Sequence, residues 1–375
     1  MKKTICLFFS NDTSFSTWKY SGIIEREIKY YKSLIKKNFK VIFLTFGDKK
    51  DKKIKFPLKK EIKIIPIYEK IKRPKNYFLR NLLNIFLPSI ILRKENFQII
   101  KSNQLSGGLS ALITSIILKK KIFFRIGWEP NIHFKFLKMN YLTELMYKYL
   151  AFIVYNFGNF FSVSSNQIRN FLLKKIIIGK KRKYIKVLEN FIDTNTFKNY
   201  KKKRYNNRVL LVSRLSKEKN INFLIEALQG TDIKADIIGT GREKNNLIKY
   251  AKEKNVDLNF LGRKNNYYLP KYLNSYYVYV ICSKIEGNVK SLLEAMSCQL
   301  ICIGTNVNGI KNILKNNKTG LIVNNPLELR GKLINVFKNL KKFKFLGKFA
   351  RKRVLKLNSI ENFLKEELKI LTLLK

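Results

Sequence analysis

Apolar runs of four to six residues recur along this chain, separated by longer segments of helical period. This alternation constrains the fold most. A strand that is apolar throughout must be covered on both faces, and the intervening helices supply the cover. Strands are predicted at 4–9, 41–46, 62–67, 98–101, 122–126, 160–163 and 185–188, with helices at 23–37, 107–119, 142–157 and 165–174. The sequence turns polar and basic at 195–207, and a second series follows. Its predicted strands are 209–212, 235–238, 258–261, 277–281, 300–303 and 320–323, with helices at 222–228 and 243–254. Two α/β, Rossmann-like doubly wound domains are expected, at 1–195 and 196–358. Residues 359–375 form a last helix with an apolar face suited to packing back on the first domain.

Charge narrows the function. The chain has 77 Lys and Arg against 25 Asp and Glu, a formal net charge of +52. Nucleic acid, an anionic membrane surface and a composition bias toward Lys, Asn and Ile each account for such an excess. The excess is spread over both halves and forms no basic stripe with aromatic platforms, which argues against a dedicated nucleic-acid module. His133 is the sole histidine, so zinc sites with two or more His are excluded. Cys6, Cys282, Cys298 and Cys302 are too few for a disulfide scaffold and form no Cys-x-x-Cys; buried thiols in a reducing compartment are expected. The start at Met1, Lys2 and Lys3 reads as the approach to a strand, because the apolar run after it stops at Ser10. No apolar run reaches the 18 or so residues that span a bilayer. The segment 82–92, flanked by basic residues, reads either as an interfacial amphipathic helix or as a buried connection.

Three short segments of the second half carry candidate chemistry. After the strand at 209–212, Arg214 and Lys219 stand at the entrance of a helix, where two cations suit a diphosphate or simply face water. Gly239 and Gly241 flank Thr240 after the next strand, without the third glycine of a dinucleotide site. Glu286 falls in the loop after the strand at 277–281. Gly287 and Asn288 are predicted to open the next helix, with Glu294 about two turns inside it. Backbone N–H groups at such a helix start favour an anion. Spacing alone leaves open that the two glutamates are unrelated.

Taken in order, VLENFIDTNTF, VLLVSRLSKEKNINFLIEAL, ADIIGTGREKNNL, NFLGR and IEGNVKSLLEAMSCQLICIGTNVNGIKNIL resemble the nucleotide-binding half of family-4 retaining glycosyltransferases of the GT-B fold. The match covers about residues 185–325, and the first half is similar in layout only. The resemblance implies two domains facing a cleft, and transfer of a sugar from a nucleotide-diphosphate sugar to an acceptor hydroxyl with retained configuration. It implies that Arg214 and Lys219 hold the diphosphate, Glu294 the ribose and Glu286 the hydroxyls of the transferred sugar. Backbone N–H groups of Gly287, Asn288, Val289 and Lys290 would meet the distal phosphate and sugar. Gly239 would lie in the donor site, Gly262 and Arg263 near the base, and Gly22 near the phosphates. In the first-domain run RIGWEPNIHF, Arg125, Glu129 and His133 are candidates beside the acceptor or the reacting sugar. Ser213, Gln299 and Ser21 stand where glycine is common in the family.

No Asp-x-Asp occurs, and the resemblance implies no cofactor and no metal. It further implies a lipid-linked or oligosaccharide acceptor in cell-surface polysaccharide, lipopolysaccharide or capsule synthesis. The expected place is cytoplasmic, peripheral on the inner face of an anionic membrane, with no specific nucleic-acid partner. A nucleotide-sugar epimerase, a sugar-phosphate synthase, an inactive binding subunit and a basic nucleic-acid-binding protein are the competing readings.

Overall fold

The structure, a computed structural model, describes residues 3–134, 139–176 and 184–374; Met1 and Lys2 lie outside it. It divides into two α/β units, Met1–Glu189 with Leu364–Lys375, and Asn190–Phe363.

The first unit holds a parallel sheet of β1 (Lys3–Phe8), β2 (Phe39–Asp48), β3 (Ile62–Tyr68), β4 (Ile99–Asn103), β5 (Lys121–Ile126), β6 (Phe160–Val163) and β7 (Tyr184–Val187), in the order β3-β2-β1-β4-β5-β6-β7. Its helices are α1 (Phe15–Tyr20), α2 (Ile23–Lys36), α3 (Tyr77–Leu92), α4 (Gly108–Ile117), α5 (Tyr141–Phe157) and α6 (Asn166–Phe171). The second unit holds β8 (Tyr205–Val212), β9 (Lys234–Ile238), β10 (Leu258–Gly262), β11 (Tyr276–Ile281), β12 (Ile301–Thr305) and β13 (Leu321–Val323), in the order β10-β9-β8-β11-β12-β13 and again all parallel. Its helices are α7 (Ile221–Leu228), α8 (Lys244–Glu253), α9 (Leu269–Leu273), α10 (Lys290–Ser297), α11 (Asn308–Lys311), α12 (Pro326–Lys338) and α13 (Leu340–Leu357). The last helix, α14 (Ile360–Leu373), starts in the second unit and continues into the first.

Each sheet is wound outward in one direction and then in the other. The reversal falls between β1 and β4 in the first sheet and between β8 and β11 in the second. Connections leave the carboxyl ends of those two strands on opposite sides, which opens a crevice there.

The chain divides at Glu189/Asn190 and again at Phe363/Leu364, rather than at the predicted 195/196 and 358/359. The intervening residues are bonded into the second unit: Asn190 N–H donates to Asn288 Oδ1 (3.0 Å), and Ile192 N–H to Asn358 O (2.9 Å). Every predicted strand meets an observed one. The widest difference is at β8, which begins at Tyr205 through exposed polar residues that lack an apolar pattern. Helix α1 is too short to show a period. Its first N–H groups are capped from far along the chain: Asp51 accepts from Phe15 N–H (2.9 Å), Ser16 N–H (3.0 Å) and Thr45 Oγ1 (2.6 Å). Helices α12 and α13 were not predicted, although Asn325, Pro326 and Glu328 form a helix start. Asn325 Oδ1 accepts from Glu328 N–H (2.9 Å).

The four cysteines are free and buried, as predicted. Among the described residues no helix is long and apolar enough to cross a membrane.

Inside the first unit lies a buried ion pair. Lys101 Nζ on β4 is 2.6 Å from Glu367 Oε1 on α14, the Tyr30 hydroxyl donates to the same carboxylate, and all three side chains are buried. Removing one member leaves the other charge buried alone. Glu367→Leu should lower the unfolding free energy by about 3–5 kcal/mol, and Lys101→Met in the same chain should restore a large part of it. Denaturant titration checks both; a neutral single variant would contradict the burial.

Candidate functional site

At the second reversal the loops after β8 and β9 interlock. Ser213 N–H donates to Ile238 O (3.1 Å) and Leu215 N–H to Thr240 O (3.0 Å). A β-carbon on Gly239 would sit 1.8 Å from Ser213 O, and one on Gly241 2.1 Å from Leu215 O. The Gly-Thr-Gly run therefore lets two backbones touch; this is what the pair does within the protein itself. A short 3₁₀ turn at Lys217–Lys219 then passes into α7 through Asn220, which is left-handed at φ 51°.

That turn aims Lys219 across the reversal. Lys219 Nζ lies 2.6 Å from Glu286 Oε1, which also accepts from Ser283 Oγ at 2.6 Å, and both charged side chains are largely buried. Lys284 N–H donates to Glu218 O (2.9 Å), tying the β11 loop to the β8 loop by backbone as well. Two of the predicted residues, from either side of the reversal, thus form one unit. Arg214 does not join it. Its side chain is 79% exposed, with Nη2 3.7 Å from Glu218 Oε1.

Glu218 escaped the sequence reading because it sits in a lysine-rich run. Burial pushes its carboxyl up, but bonds from the Ser216 hydroxyl and from backbone, with Lys219 and Arg214 nearby, hold it below the ordinary value.

The helix after β11 starts later than predicted. Gly287 and Asn288 precede α10, Val289 caps it, and Glu294 stands little more than one turn inside. The 287–289 loop is fixed by Asn190, whose Nδ2 donates to Asn288 O (2.8 Å), and by Gly309, where a β-carbon would lie 2.2 Å from Glu286 O. Asn190 and Gly309 both fall in the runs that carried the resemblance, but no role was predicted for either. Lys290 Nζ lies 4.9 Å from the Phe191 ring centre. Glu294 is buried and accepts from Asn266 Nδ2 (3.3 Å), which puts it beside the loop after β10. Gly262 ends β10 at φ 67°, a conformation that favours glycine, and bonds Gly239 N–H through its carbonyl (3.0 Å); Arg263 follows it, exposed.

In the first unit the predicted residues separate. Gly22 is left-handed (φ 70°) and caps α2, its N–H donating to Lys19 O (3.1 Å). Arg125 lies on β5 itself rather than in the loop after it, buried, with Nη1 2.6 Å from Leu188 O. Glu129 is 0% exposed: it accepts from Asn131 N–H (3.1 Å) and from the Tyr155 hydroxyl, and burial raises its carboxyl above the ordinary value. Both side chains are engaged inside the first unit, Arg125 with the residue that follows β7 and Glu129 with the loop after β5. Gln104 Oε1 accepts from Gly127 N–H (3.2 Å) and Trp128 N–H (3.1 Å) and completes its anchoring.

His133 is half-buried and stacks on Trp128, ring centres 4.3 Å apart. Burial lowers its pKa below the ordinary histidine value of 6.5, which favours the neutral imidazole. The stability that His133 contributes is present above 6.5 and is lost as pH falls toward the depressed value. As the sole histidine it gives one imidazole signal in an NMR titration, with a midpoint below 6.5 expected in the wild type and a higher one in Trp128→Ala.

Residues 192–353 match the family model described as Glycosyl transferases group 1. The diphospho-undecaprenol 4-alpha-N-acetylgalactosaminyltransferase of Campylobacter jejuni, which acts on N-acetylgalactosamine-N,N'-diacetylbacillosaminyl-diphospho-undecaprenol by its name, is 32% identical over 31% of this chain and 32% of its own length. The chain spans about a third to a half of the length of the curated relatives it matches. Among solved structures, sucrose-phosphate synthase of Thermosynechococcus elongatus superposes with a TM-score of 0.82 at 17% identity, over 99% of each chain. Alr3699/HepE of Anabaena, solved with UDP and glucose, superposes at 0.77 with 14% identity, over 98% of this chain and 99% of that one. These two likenesses establish the fold, which is GT-B-like. Through residues 192–353, which hold the reversal between β8 and β11 and the Lys219–Glu286 pair, the chain carries a domain of the glycosyl transferases group 1 family.

Proposed function

We propose that the chain is a retaining glycosyltransferase that moves a sugar from a nucleotide-diphosphate sugar to a hydroxyl of a lipid-linked glycan acceptor. One observation carries the reading: a largely buried lysine–glutamate pair spans the winding reversal of the group 1 domain. That is where doubly wound sheets take nucleotide ligands. In this reading Lys219 keeps Glu286 on one side and offers its other N–H donors to the donor's diphosphate. Arg214, exposed and only loosely held by Glu218, closes on the same phosphates. Backbone N–H groups before and within the first turn of α10 meet the distal phosphate. As the bond from the sugar to the phosphate oxygen breaks, negative charge grows on that oxygen, and these fixed positive groups stabilise it without a metal.

Glu286, oriented by Lys219 and Ser283, binds hydroxyls of the transferred sugar. Glu294, already buried beside Asn266, binds the ribose, with Gly262 and Arg263 near the base. The acceptor oxygen bonds to the sugar on the face the phosphate leaves, and the departing phosphate oxygen takes the acceptor proton. That geometry retains the configuration. The lipid-linked acceptor, and with it a place on the inner face of the membrane in surface-glycan synthesis, is supported by the Campylobacter relative's name and by the +52 charge.

Lys219→Ala, Arg214→Ala and Glu294→Ala should each cut turnover by about tenfold to a thousandfold, the scale of a lost charge-stabilising donor. Full transfer by a folded Lys219→Ala chain would remove the phosphate role. A thermal-shift panel of UDP, GDP, ADP and CMP should give one nucleotide that raises the melting midpoint, with UDP the first to try given the Anabaena complex. No shift with any of them at millimolar concentration would count against the donor site.

A further inference from the structure

Helix α3 buries two polar residues, Asn84 and Ser89, beside Pro88 and Leu92, and turns an apolar row outward. Its buried side carries Asn84, whose Nδ2 donates to Asn11 Oδ1 (2.7 Å) and Asp12 Oδ1 (2.9 Å) and whose Oδ1 accepts from the Tyr68 hydroxyl (2.6 Å). Its outer side carries Phe78, Leu82, Phe86 and Ile90, one every four residues and therefore in a single row. Phe78 is 72% exposed and Ile90 64%. A helix facing water places its residues the other way round.

Helix α5 also turns apolar side chains outward, although its buried side is apolar too. Opposite its buried Ala151 and Val154, Leu142 and Tyr149 stand 74% and 62% exposed. Helix α4 packs against both α3 and α5, so the two rows lie on one layer of helices. Single exposed apolar residues are ordinary, but rows of aromatic and aliphatic side chains on helices of one layer mark a contact surface.

Charge selects what the surface contacts. Lys70, Lys72 and Lys75 precede α3, and Arg93 and Lys94 follow it; all five are exposed, with no acidic residue between 70 and 94. A second copy of a +52 chain would be repelled. An anionic bilayer meets both demands: its headgroups take the cations, and the headgroup–acyl boundary takes the rings and aliphatic side chains.

We propose that the outer face of α3 and α5 docks on an anionic lipid bilayer, with Phe78, Leu82, Phe86 and Leu142 entering the boundary region. This deepens the lipid-linked reading of the acceptor and rests on it only for its purpose. The test contains neither sugar donor nor acceptor, so the two stand or fall separately.

The full chain is mixed with phosphatidylcholine vesicles with or without phosphatidylglycerol. A Phe78→Trp variant should show blue-shifted emission on the anionic vesicles, quenched by lipids brominated on the acyl chain, beyond any change in the wild type. Phe78→Ser, Leu82→Ser, Leu142→Ser and Tyr149→Ser combined should lower partitioning at least about tenfold, with the melting midpoint not lowered, since these side chains are exposed. If the Phe78→Trp protein bound but its added emission stayed unquenched, attraction would be by charge alone and the docking face would be overturned. So would it be by undiminished binding of the combined variant, or by equal binding to neutral vesicles. A dimer seen by light scattering, abolished by the combined variant and without vesicle binding, would name a second copy as the occupant and overturn the proposal as well.

Discussion

The pairing of Lys219 with Glu286 depends on where the second sheet reverses its winding. Strands β8 and β11 are neighbours, yet their connections leave in opposite directions, so the loops after them face each other with no helix between. Three glycines and Asn190 serve that approach. Gly239 and Gly241 let the β9 loop lie against the β8 loop. Gly309 lets the start of α11 lie against Glu286, and Asn190 holds the loop before α10. A β-carbon at any of the three glycines would meet a backbone oxygen at 2.2 Å or closer. The charged pair is thus delivered by backbone contacts.

Acids are scarce in this chain, and several of them occupy structural posts. Asp51 caps α1, Glu129 fixes the loop after β5, Glu367 pairs with Lys101, and Asp236 accepts from Arg208 (2.6 Å), Asn259 (3.0 Å) and Tyr276 (2.5 Å). Glu286 belongs to the same pattern, with the difference that its partner lies across the crevice. The excess of bases is a surface property. Among the described residues of the first unit the one buried lysine, Lys101, has its carboxylate with it, as the cost of burying a lone ammonium requires.

The strand pattern was legible because parallel strands are apolar on both faces and leave unbroken runs in the sequence. The second unit's site was legible in part. Lys219, Glu286 and Glu294 were singled out from motif order, and the first two pair, whereas Glu218 and Gly309 act through contacts that spacing does not reveal. The start of α10 was placed too early because Gly287 and Asn288 look like a helix opening. Their conformation is instead set by Asn190 and Gly309, one far upstream and one downstream. In the first unit Arg125 and Glu129 read as candidates beside the acceptor or the reacting sugar. The partners that bond them, Leu188 and Tyr155, are 63 and 26 residues away, beyond the reach of local pattern.

In the proposed function Lys219, positioned by Glu286, binds the second phosphate of a nucleotide. Calorimetric titration of a nucleoside diphosphate and the matching monophosphate, into wild type and Lys219→Met, tests it most directly. The variant should lose about tenfold to a hundredfold in affinity for the diphosphate and little for the monophosphate. An equal loss for both ligands, or none for either, would contradict it.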